Sequence, residues 1–316
     1  MSRCLCCGKP IEGESVKGWH KECIRRFFGT SGFPEIELDE QTLEKLALDN
    51  VSKGLTVAGV QKKLSLSLSR SGKSARLTLV NCPTGFILKP QAKEFECLPE
   101  AEWLAMAMAK SSGISTVPFA LVSQGGEYAY LTKRVDRMET KAGVTQLAME
   151  DFCQLDLRPS EDKYRGSCER LGKIVARYSE RPLLDESELF MRLAFSYLIG
   201  NSDMHLKNFS LIETASRSGK YVLSPAYDLL PVNLLMPEDK EELALPMNGK
   251  KSNLTRKDFL VFGARCGLSE SSCEKMLRKL VSMKERYLAL CRDSFLPDHL
   301  KEGFAALIEE RAKILA

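Results

Sequence analysis

The sequence predicts an α+β fold of two lobes, because β-type patterns dominate the first half of the chain and helical patterns the second. The clearest strand pattern is the alternation of Leu64, Leu66 and Leu68 with serines. After Asp136, apolar residues recur at helical spacing in several long segments. A β-rich half followed by a helical half favours two lobes separated by a cleft.

Three segments are expected along the chain: a small Cys/His unit over residues 1–32, a β-rich N-lobe over 33–136 and a mainly helical C-lobe over 137–316. In the N-lobe, the patterns predict a helix at 39–49, a loop running into a strand over 57–68, strands at 76–80 and 85–88, a helix at 100–110 and a hairpin of 117–122 with 128–133. In the C-lobe, they predict helices at 167–178, 185–198, 256–266, 269–293 and 297–315, interrupted by a strand pair at 210–213 and 220–223.

The composition is that of an ordinary globular protein. The chain has 316 residues, 44% of them hydrophobic, which is enough for two folded units with a core. A net charge of +4 with interspersed acids and bases does not indicate a nucleic-acid binder. The sequence contains no apolar run of membrane-spanning length, and its first ten residues lack a signal-peptide core, so we expect a cytoplasmic protein. In a reducing compartment, the 11 cysteines are not expected to form a disulfide framework.

The segment Gly-Asn-Ser-Asp-Met-His-Leu-Lys-Asn over 200–208 carries the residue types needed for phosphoryl transfer. Asp203 is followed by Asn208 five positions later and by Asp228 after a further twenty. A carboxylate must orient the attacking hydroxyl, and hard oxygen ligands must hold Mg²⁺ on the phosphates. Lys207 lies between Asp203 and Asn208 and would neutralise charge on the transferred phosphate. The same residues are also typical of turns and helix caps, and spacing alone does not decide between the two interpretations.

A second candidate is Lys89, which ends the apolar strand Phe-Ile-Leu-Lys. A lysine in this position can hold ATP phosphates, and Glu102 on the next helix could pair with it. The alternative is an edge-strand lysine beside a proline. Upstream, the loop 52–64 contains two glycines whose backbone amides could cover phosphates, although it also fits a plain loop entering a strand.

Taken together, these segments resemble the HipA-like serine/threonine kinases, the toxin component of bacterial toxin–antitoxin modules. The resemblance runs from about Thr56 to the C-terminus. The motifs that carry it are, in order, Ala-Gly-Val-Gln-Lys-Lys at 58–63, Ile-Leu-Lys at 87–89, Arg-Val-Asp-Arg at 134–137, Glu-Asp-Phe-Cys-Gln at 150–154, the stretch 198–210 and Leu-Ser-Pro-Ala-Tyr-Asp at 223–228. The resemblance implies a bilobal protein-kinase-like fold that uses ATP and Mg²⁺.

The resemblance also implies roles for individual positions. These are Asp203 as catalytic base, His205 and Lys207 lining the catalytic loop, Asn208 and Asp228 as Mg²⁺ ligands, Lys89 with Glu102 as phosphate anchor, Gly59, Val60 and Gln61 in the Gly-rich loop, and Lys133 to Val135 at the adenine hinge. Thr56 occupies the position of the family's autophosphorylated serine, where added negative charge would block the ATP site. Thr56 also fits a β-branched residue entering a strand, and Ser52 or Ser65 could be the acceptor instead.

The segment before the Gly-rich loop is shorter than in full-length members of that family. It resembles the short HipT-type toxins, which implies a small HipS-like antitoxin and a HipB-like helix-turn-helix antitoxin, with DNA contacted only through the complex. The implied substrate is a protein hydroxyl, an aminoacyl-tRNA synthetase being the family's suggested target, with growth arrest as the result. Two alternatives are a non-catalytic nucleotide-binding scaffold or co-repressor and, more weakly, a small-molecule or lipid kinase.

The N-terminal unit contains Cys4-Leu5-Cys6-Cys7 and, twelve residues later, His20-Lys21-Glu22-Cys23. Cys4, Cys7, His20 and Cys23 offer three thiolates and an imidazole, which is enough for a closed, structural Zn²⁺ site. His20 and Cys23, at i and i+3, are expected to share a face of a short helix. The alternative is a set of buried or free thiols, and Cys6 could replace Cys7.

Overall fold

The computed structural model describes residues 2–36, 63–71, 74–79, 85–124, 126–140 and 143–316. Its strands are β1 Glu35–Ile36, β2 Leu64–Ser71, β3 Ser74–Leu79, β4 Phe86–Lys89, β5 Phe119–Gln124, β6 Glu127–Lys133, β7 Arg137–Thr140, β8 Gly143–Gln146, β9 Met149–Asp151, β10 Ser210–Glu213 and β11 Tyr221–Leu223. Its α-helices are α1 Lys21–Phe28, α2 Leu98–Ser111, α3 Phe152–Leu155, α4 Cys168–Tyr178, α5 Pro182–Ile199, α6 Val232–Leu235, α7 Arg256–Arg265, α8 Glu270–Ser282, α9 Lys284–Arg292 and α10 Asp298–Leu315. The chain divides into two units, residues 1–103 with 117–137 and residues 104–116 with 138–316.

The first unit is built on a six-stranded sheet with the order β1-β3-β2-β4-β6-β5. The strand pairs are antiparallel except for β1 with β3, which is parallel. Leu64 and Leu66 of β2 are buried, as the alternation predicts, and Leu88 and Leu131 face each other across β4 and β6 without exposure. The predicted hairpin is confirmed as β5 and β6.

The N-terminal segment packs against this sheet. The backbone amide of Leu121 donates to the carbonyl of Leu5 at 2.8 Å, and the indole Nε1 of Trp19 donates to the carbonyl of Leu121 at 3.1 Å. Phe27 and Phe28 of α1 lie 6.0 and 5.7 Å from the Phe86 ring of β4. The segment therefore adds aromatic area to the core of the first unit.

The second unit centres on α5, whose residues from Leu189 to Ile199 are buried. A small antiparallel sheet, β11-β10-β9, lies in the same unit. Arg311 of α10 is buried and donates from Nη1 to the Tyr197 carbonyl at 2.5 Å and from Nη2 to Asn233 Oδ1 at 2.7 Å. Burial lowers the pKa of Arg311, and these two acceptors pair with two of its donors away from water.

Two expectations about helices are corrected. The single helix predicted at 269–293 is two helices, α8 and α9, separated by Met283. Neither proline nor glycine marks that break, so no local pattern indicates it. His20 is not a helical residue: it has extended φ and ψ angles of −67° and 143° and precedes α1 as its N-cap. Of the described helices, none is long and apolar enough to span a bilayer.

Candidate functional site

The loop 200–208 begins where α5 ends, at Gly200. This residue has φ of 72°, and a Cβ there would lie 2.6 Å from Leu307 Cδ2. Glycine meets both requirements, the left-handed backbone and the close approach. The next amide, that of Asn201, returns to the Ser196 carbonyl at 2.8 Å, and the Asn201 side chain accepts from the Asp203 amide at 3.2 Å. The end of α5 and the Asn201 side chain therefore fix the position of the Asp203 backbone.

Asp203 is half-buried, and its Oδ1 accepts a hydrogen bond from the Tyr164 hydroxyl at 2.5 Å. Burial and the neighbouring Asp203 carboxylate raise the pKa of Tyr164 above its usual value. The phenol therefore keeps its proton through the physiological range and acts as a donor. The Tyr164 ring also packs edge-on against His205, with 5.1 Å between the ring centroids. Asp203 is thus already arranged to accept a hydrogen bond from a hydroxyl group.

Asn208 closes the same loop. Its Nδ2 donates to the Asp203 carbonyl at 2.8 Å, and its backbone amide donates to the His205 carbonyl at 3.0 Å. Both Asn208 and His205 are buried. Since the amide nitrogen is committed to the loop backbone, the Asn208 side chain is held in one orientation, and its Oδ1 is the atom that can act as a hard ligand.

Lys207 forms an ion pair within the second unit. Its Nζ lies 2.9 Å from Asp151 Oδ2 and 3.2 Å from Ser160 Oγ. Asp151 also caps α3 through a capping box with Gln154. Lys207 is 34% exposed, so this contact ties the loop to β9 and α3 while its ammonium stays partly in solvent.

Asp228 stands in a strained backbone conformation, with φ of 54°. Among non-glycine residues, Asp and Asn tolerate this region best, and such positions concentrate at functional sites. The preceding Tyr227 donates its hydroxyl proton to the Lys207 carbonyl at 3.1 Å and lies 2.5 Å from Ser210 Oγ. Burial raises the pKa of Tyr227. Tyr227 therefore connects the backbone that carries Asp228 to the loop that carries Asn208.

Lys89 and Glu102 form a buried ion pair in the first unit. The Lys89 Nζ lies 2.6 Å from Glu102 Oε1, and the two side chains are 4% and 2% exposed. The ammonium also lies 5.3 Å from the Tyr130 ring centroid. Lys133 is half-buried at the end of β6, with its Nζ 5.9 Å from the Phe86 ring, and Val135 follows in a turn. The pairing expected of Lys89 and Glu102 is present.

The four predicted zinc ligands also come together. Ligand atoms of Cys4, Cys7, His20 and Cys23 all lie within 4.8 Å of one another. The remaining predicted positions, Thr56, Gly59, Val60 and Gln61, lie outside the described residues.

The family is decided by a sequence-family model. The model of the HipA-like C-terminal domain matches residues 55–287. The chain belongs to this family. The match includes Lys89, the loop 200–208 and Asp228, so the motifs that carry the resemblance lie inside it.

Proteins related to this HipA-like chain are named as kinases. A putative kinase of Haemophilus influenzae is 26% identical over 94% of this chain and 92% of its own length. The putative kinase Y4dM of Sinorhizobium fredii is 33% identical over 74% of this chain and 58% of its own, and the serine/threonine-protein kinase toxin HipA of Shewanella oneidensis is 26% identical over 65% and 49%. The chain thus spans nearly all of the first relative and about half of the other two.

Solved structures show the same mixed α and β fold. The HipA chain of a Shewanella oneidensis complex of HipA, HipB and operator DNA superposes with a TM-score of 0.68 at 23% identity, over 83% of this chain and 66% of that chain. The proinflammatory kinase CtkA of Helicobacter pylori superposes with a TM-score of 0.56 at 16% identity, over 80% and 94%. At these identities, the likeness establishes the fold of the HipA-like chain.

Two residues of this site were missed by reasoning from the sequence. Tyr164 contacts Asp203 across 39 positions, and no motif marks it. Asp151 belongs to a family motif, but its pairing with Lys207 across 56 positions has no signal in the sequence. A pattern search limited to short spacings cannot find either contact.

Proposed function

We propose that the chain is an ATP- and Mg²⁺-dependent serine/threonine protein kinase that acts as the toxin of a bacterial toxin–antitoxin module. The observation that carries this proposal is the loop in which Asp203 accepts a hydrogen bond from a hydroxyl at 2.5 Å while Asn208 is anchored to the Asp203 carbonyl. A carboxylate with this geometry can orient a substrate hydroxyl in place of the tyrosine. Membership of the HipA-like family supports the same function.

Each proposed role rests on the chemistry of its side chain. The Asp203 carboxylate would orient the acceptor hydroxyl and take its proton, while His205 and Lys207 support the loop. Asn208 and Asp228 offer the hard oxygen ligands that Mg²⁺ prefers, and the ion would neutralise charge on the phosphates when bound. Lys207 is engaged with Asp151, so a role in charge neutralisation would require it to exchange that partner.

In the first unit, Lys89 is the proposed phosphate anchor, and its pairing with Glu102 fixes the ammonium in one position. Lys133 and Val135 are the proposed adenine hinge. Gly59, Val60 and Gln61 are the proposed phosphate-covering loop, and Thr56 within it is the proposed site of self-modification. These last assignments rest on the family resemblance.

The wider setting is also part of the proposal. The substrate would be a protein hydroxyl, and the family implies an aminoacyl-tRNA synthetase as the substrate class. The reaction would take place in the cytoplasm. A HipB-like antitoxin is supported by the superposed Shewanella oneidensis complex, which contains HipA, HipB and operator DNA. A HipS-like partner is the one implied by the resemblance to HipT-type toxins. DNA would be contacted through the complex.

An expression experiment tests this function against a non-catalytic scaffold. The wild-type chain, Asp203→Asn and a control, Asp298→Asn, are induced in a bacterial host at matched protein levels. Asp298 is a suitable control because its side chain is 93% exposed. We expect growth arrest with the wild type and the control and normal growth with Asp203→Asn. Arrest by Asp203→Asn would contradict the kinase assignment.

A further inference from the structure

The N-terminal cluster has the dimensions of a tetrahedral metal site. The Nδ1 of His20 lies 3.4 Å from Cys7 Sγ and 3.8 Å from Cys23 Sγ. Zn–S bonds of about 2.3 Å and Zn–N bonds of about 2.0–2.1 Å place tetrahedral sulfur and nitrogen ligands about 3.6 Å apart. The two distances lie on either side of that value. Cys4 belongs to the same group, in which all ligand atoms lie within 4.8 Å of one another.

The hydrogen bonds of His20 prepare its ring for a metal. The Nε2 atom lies 3.1 Å from the carbonyl of Pro10, and because a carbonyl only accepts, Nε2 carries the proton. The lone pair of Nδ1 is then directed to the thiols of Cys7 and Cys23. An outer hydrogen bond of this kind fixes the tautomer of a metal-binding histidine. The hydrogen bond to Pro10 thus favours the tautomer in which Nδ1 is the ligand atom.

Donors also surround the sulfur atoms. The backbone amide of His20 donates to Cys4 Sγ at 3.4 Å, and Arg26 Nη2 lies 4.0 Å from Cys23 Sγ. Both contacts place a hydrogen-bond donor beside a ligand sulfur, as the outer contacts of metal sites commonly do. Cys4 and Cys23 are buried, while Cys7 and His20 are half-buried. An ion in this position would be largely shielded from solvent.

The segment around the cluster contains little regular secondary structure. Residues 2–20 contain only the isolated bridges Arg3 with Pro10 and Val16 with Trp19, before the eight-residue helix α1. Gly8, directly after Cys7, has φ of 71° and lies so close to Trp103 that a Cβ would be 2.6 Å from its ring. Short segments with so little regular structure commonly need a metal to fix their conformation.

We infer that Cys4, Cys7, His20 and Cys23 bind one Zn²⁺ ion, which clamps the N-terminal segment over the β5 edge of the six-stranded sheet. Three thiolates and one imidazole leave no coordination position for water, so the site is structural. The ion joins the turn at Cys4 and Cys7 to the start of α1. This inference is independent of the proposed kinase function.

The clamp would matter for the sheet because β5 is one of its edges among the described strands. Both backbone polar groups of Leu121 on that strand are bonded to the N-terminal segment, to the Leu5 carbonyl and the Trp19 indole. An uncovered edge strand exposes such groups and invites pairing with other chains. Leu5 lies directly between the ligand Cys4 and the spare thiol Cys6, so the metal fixes the residue that covers the edge.

Metal analysis tests the ligand set. Purified protein, Cys7→Ser and the matched control Cys6→Ser are compared for metal content by mass spectrometry under native conditions, and for the absorption bands of tetrahedral thiolate–Co²⁺ after cobalt substitution. We expect about one Zn²⁺ per chain in the wild type and Cys6→Ser and at least a tenfold lower occupancy in Cys7→Ser. Equal loss in both variants, or no metal in the wild type even after zinc is added, would overturn the assignment.

A second pair of variants covers the case in which Cys7→Ser does not fold. His20→Cys keeps four ligands as a four-cysteine site and should retain zinc, whereas His20→Ala should lose it. Hydrogen exchange of the wild type before and after chelation tests the clamp. Removing the metal should accelerate exchange at the Leu121 amide by about tenfold or more and leave Leu131, which lies on β6 between β4 and β5, nearly unchanged. Unchanged exchange at Leu121 would refute the clamp.

Discussion

Replacing Lys89 should destabilise the first unit strongly, because Glu102 would lose its buried counter-ion. The two side chains are 4% and 2% exposed, and their charged atoms lie 2.6 Å apart. At that burial, water cannot replace the ammonium, so Lys89→Met leaves a carboxylate that must stay charged without this partner or take up a proton. Breaking such a pair from one side costs about 3–5 kcal/mol, against about 0–1 kcal/mol for an exposed pair. The loss in free energy of unfolding for Lys89→Met should fall within the larger range.

The double variant Lys89→Met/Glu102→Leu separates stability from function. Replacing both charges with apolar side chains of similar size is often neutral, so the double variant should recover most of the lost free energy. Urea unfolding followed by circular dichroism gives the stabilities, and ATP binding gives the function. We expect Lys89→Met to be unstable, the double variant to be stable, and neither to bind ATP with wild-type affinity. A cost below about 1 kcal/mol for Lys89→Met would refute the buried-pair reasoning.

Three further predictions concern the second unit. Tyr164→Phe removes a hydrogen-bond donor from the Asp203 carboxylate, and that donor favours the ionised form. The acid limb of the kcat/KM profile should therefore shift to higher pH by about 0.5–1 unit. An acid limb that stays in place or shifts to lower pH would count against the contact. Asp228→Asn should keep the wild-type melting temperature, because asparagine also tolerates a φ of 54°, but it should weaken Mg²⁺ binding in calorimetry by about tenfold or more. Asp228→Ala should weaken Mg²⁺ binding in the same way and also lower the free energy of unfolding by about 1 kcal/mol. Gly200→Ala should lower the free energy of unfolding by about 1–3 kcal/mol, through its φ of 72° and the close approach of Leu307, and a neutral effect in thermal unfolding would show that the loop can relax.

Patterns local in sequence predicted much of the fold. The hairpin of β5 and β6 was marked by the glycine pair at 125–126, and α4 begins at the expected position because Ser167 caps it by accepting from the Arg170 amide. The strand β9 was not predicted, since Met149–Asp151 is too short to show an alternating pattern and pairs with β10 across about sixty residues. The break at Met283 was missed because neither proline nor glycine marks it.

The candidate site was predictable where the motif is contiguous. Asp203, Asn208 and the end of α5 at Gly200 fall within nine residues, so their proximity follows from the chain itself. The sequence offered the pairing of Lys89 with Glu102 as one interpretation, beside that of an edge-strand lysine next to a proline. The role of Tyr164 could not be predicted, because its contact with Asp203 depends on how the loop before α4 folds back. In that folded-back loop, the Lys163 carbonyl accepts from the Leu206 amide at 3.1 Å.

The measurement that tests the central claim most directly is transfer of the γ-phosphate of labelled ATP to protein. Purified wild type, Asp203→Asn and the control Asp298→Asn are incubated with ATP and Mg²⁺, and the incorporated label is counted and located by mass spectrometry. Loss of a positioned base lowers proton-transfer catalysis by about 10²–10⁴-fold, so Asp203→Asn should label at least a hundredfold more slowly than the other two. Equal labelling by all three proteins would contradict the assignment of Asp203 as the catalytic base.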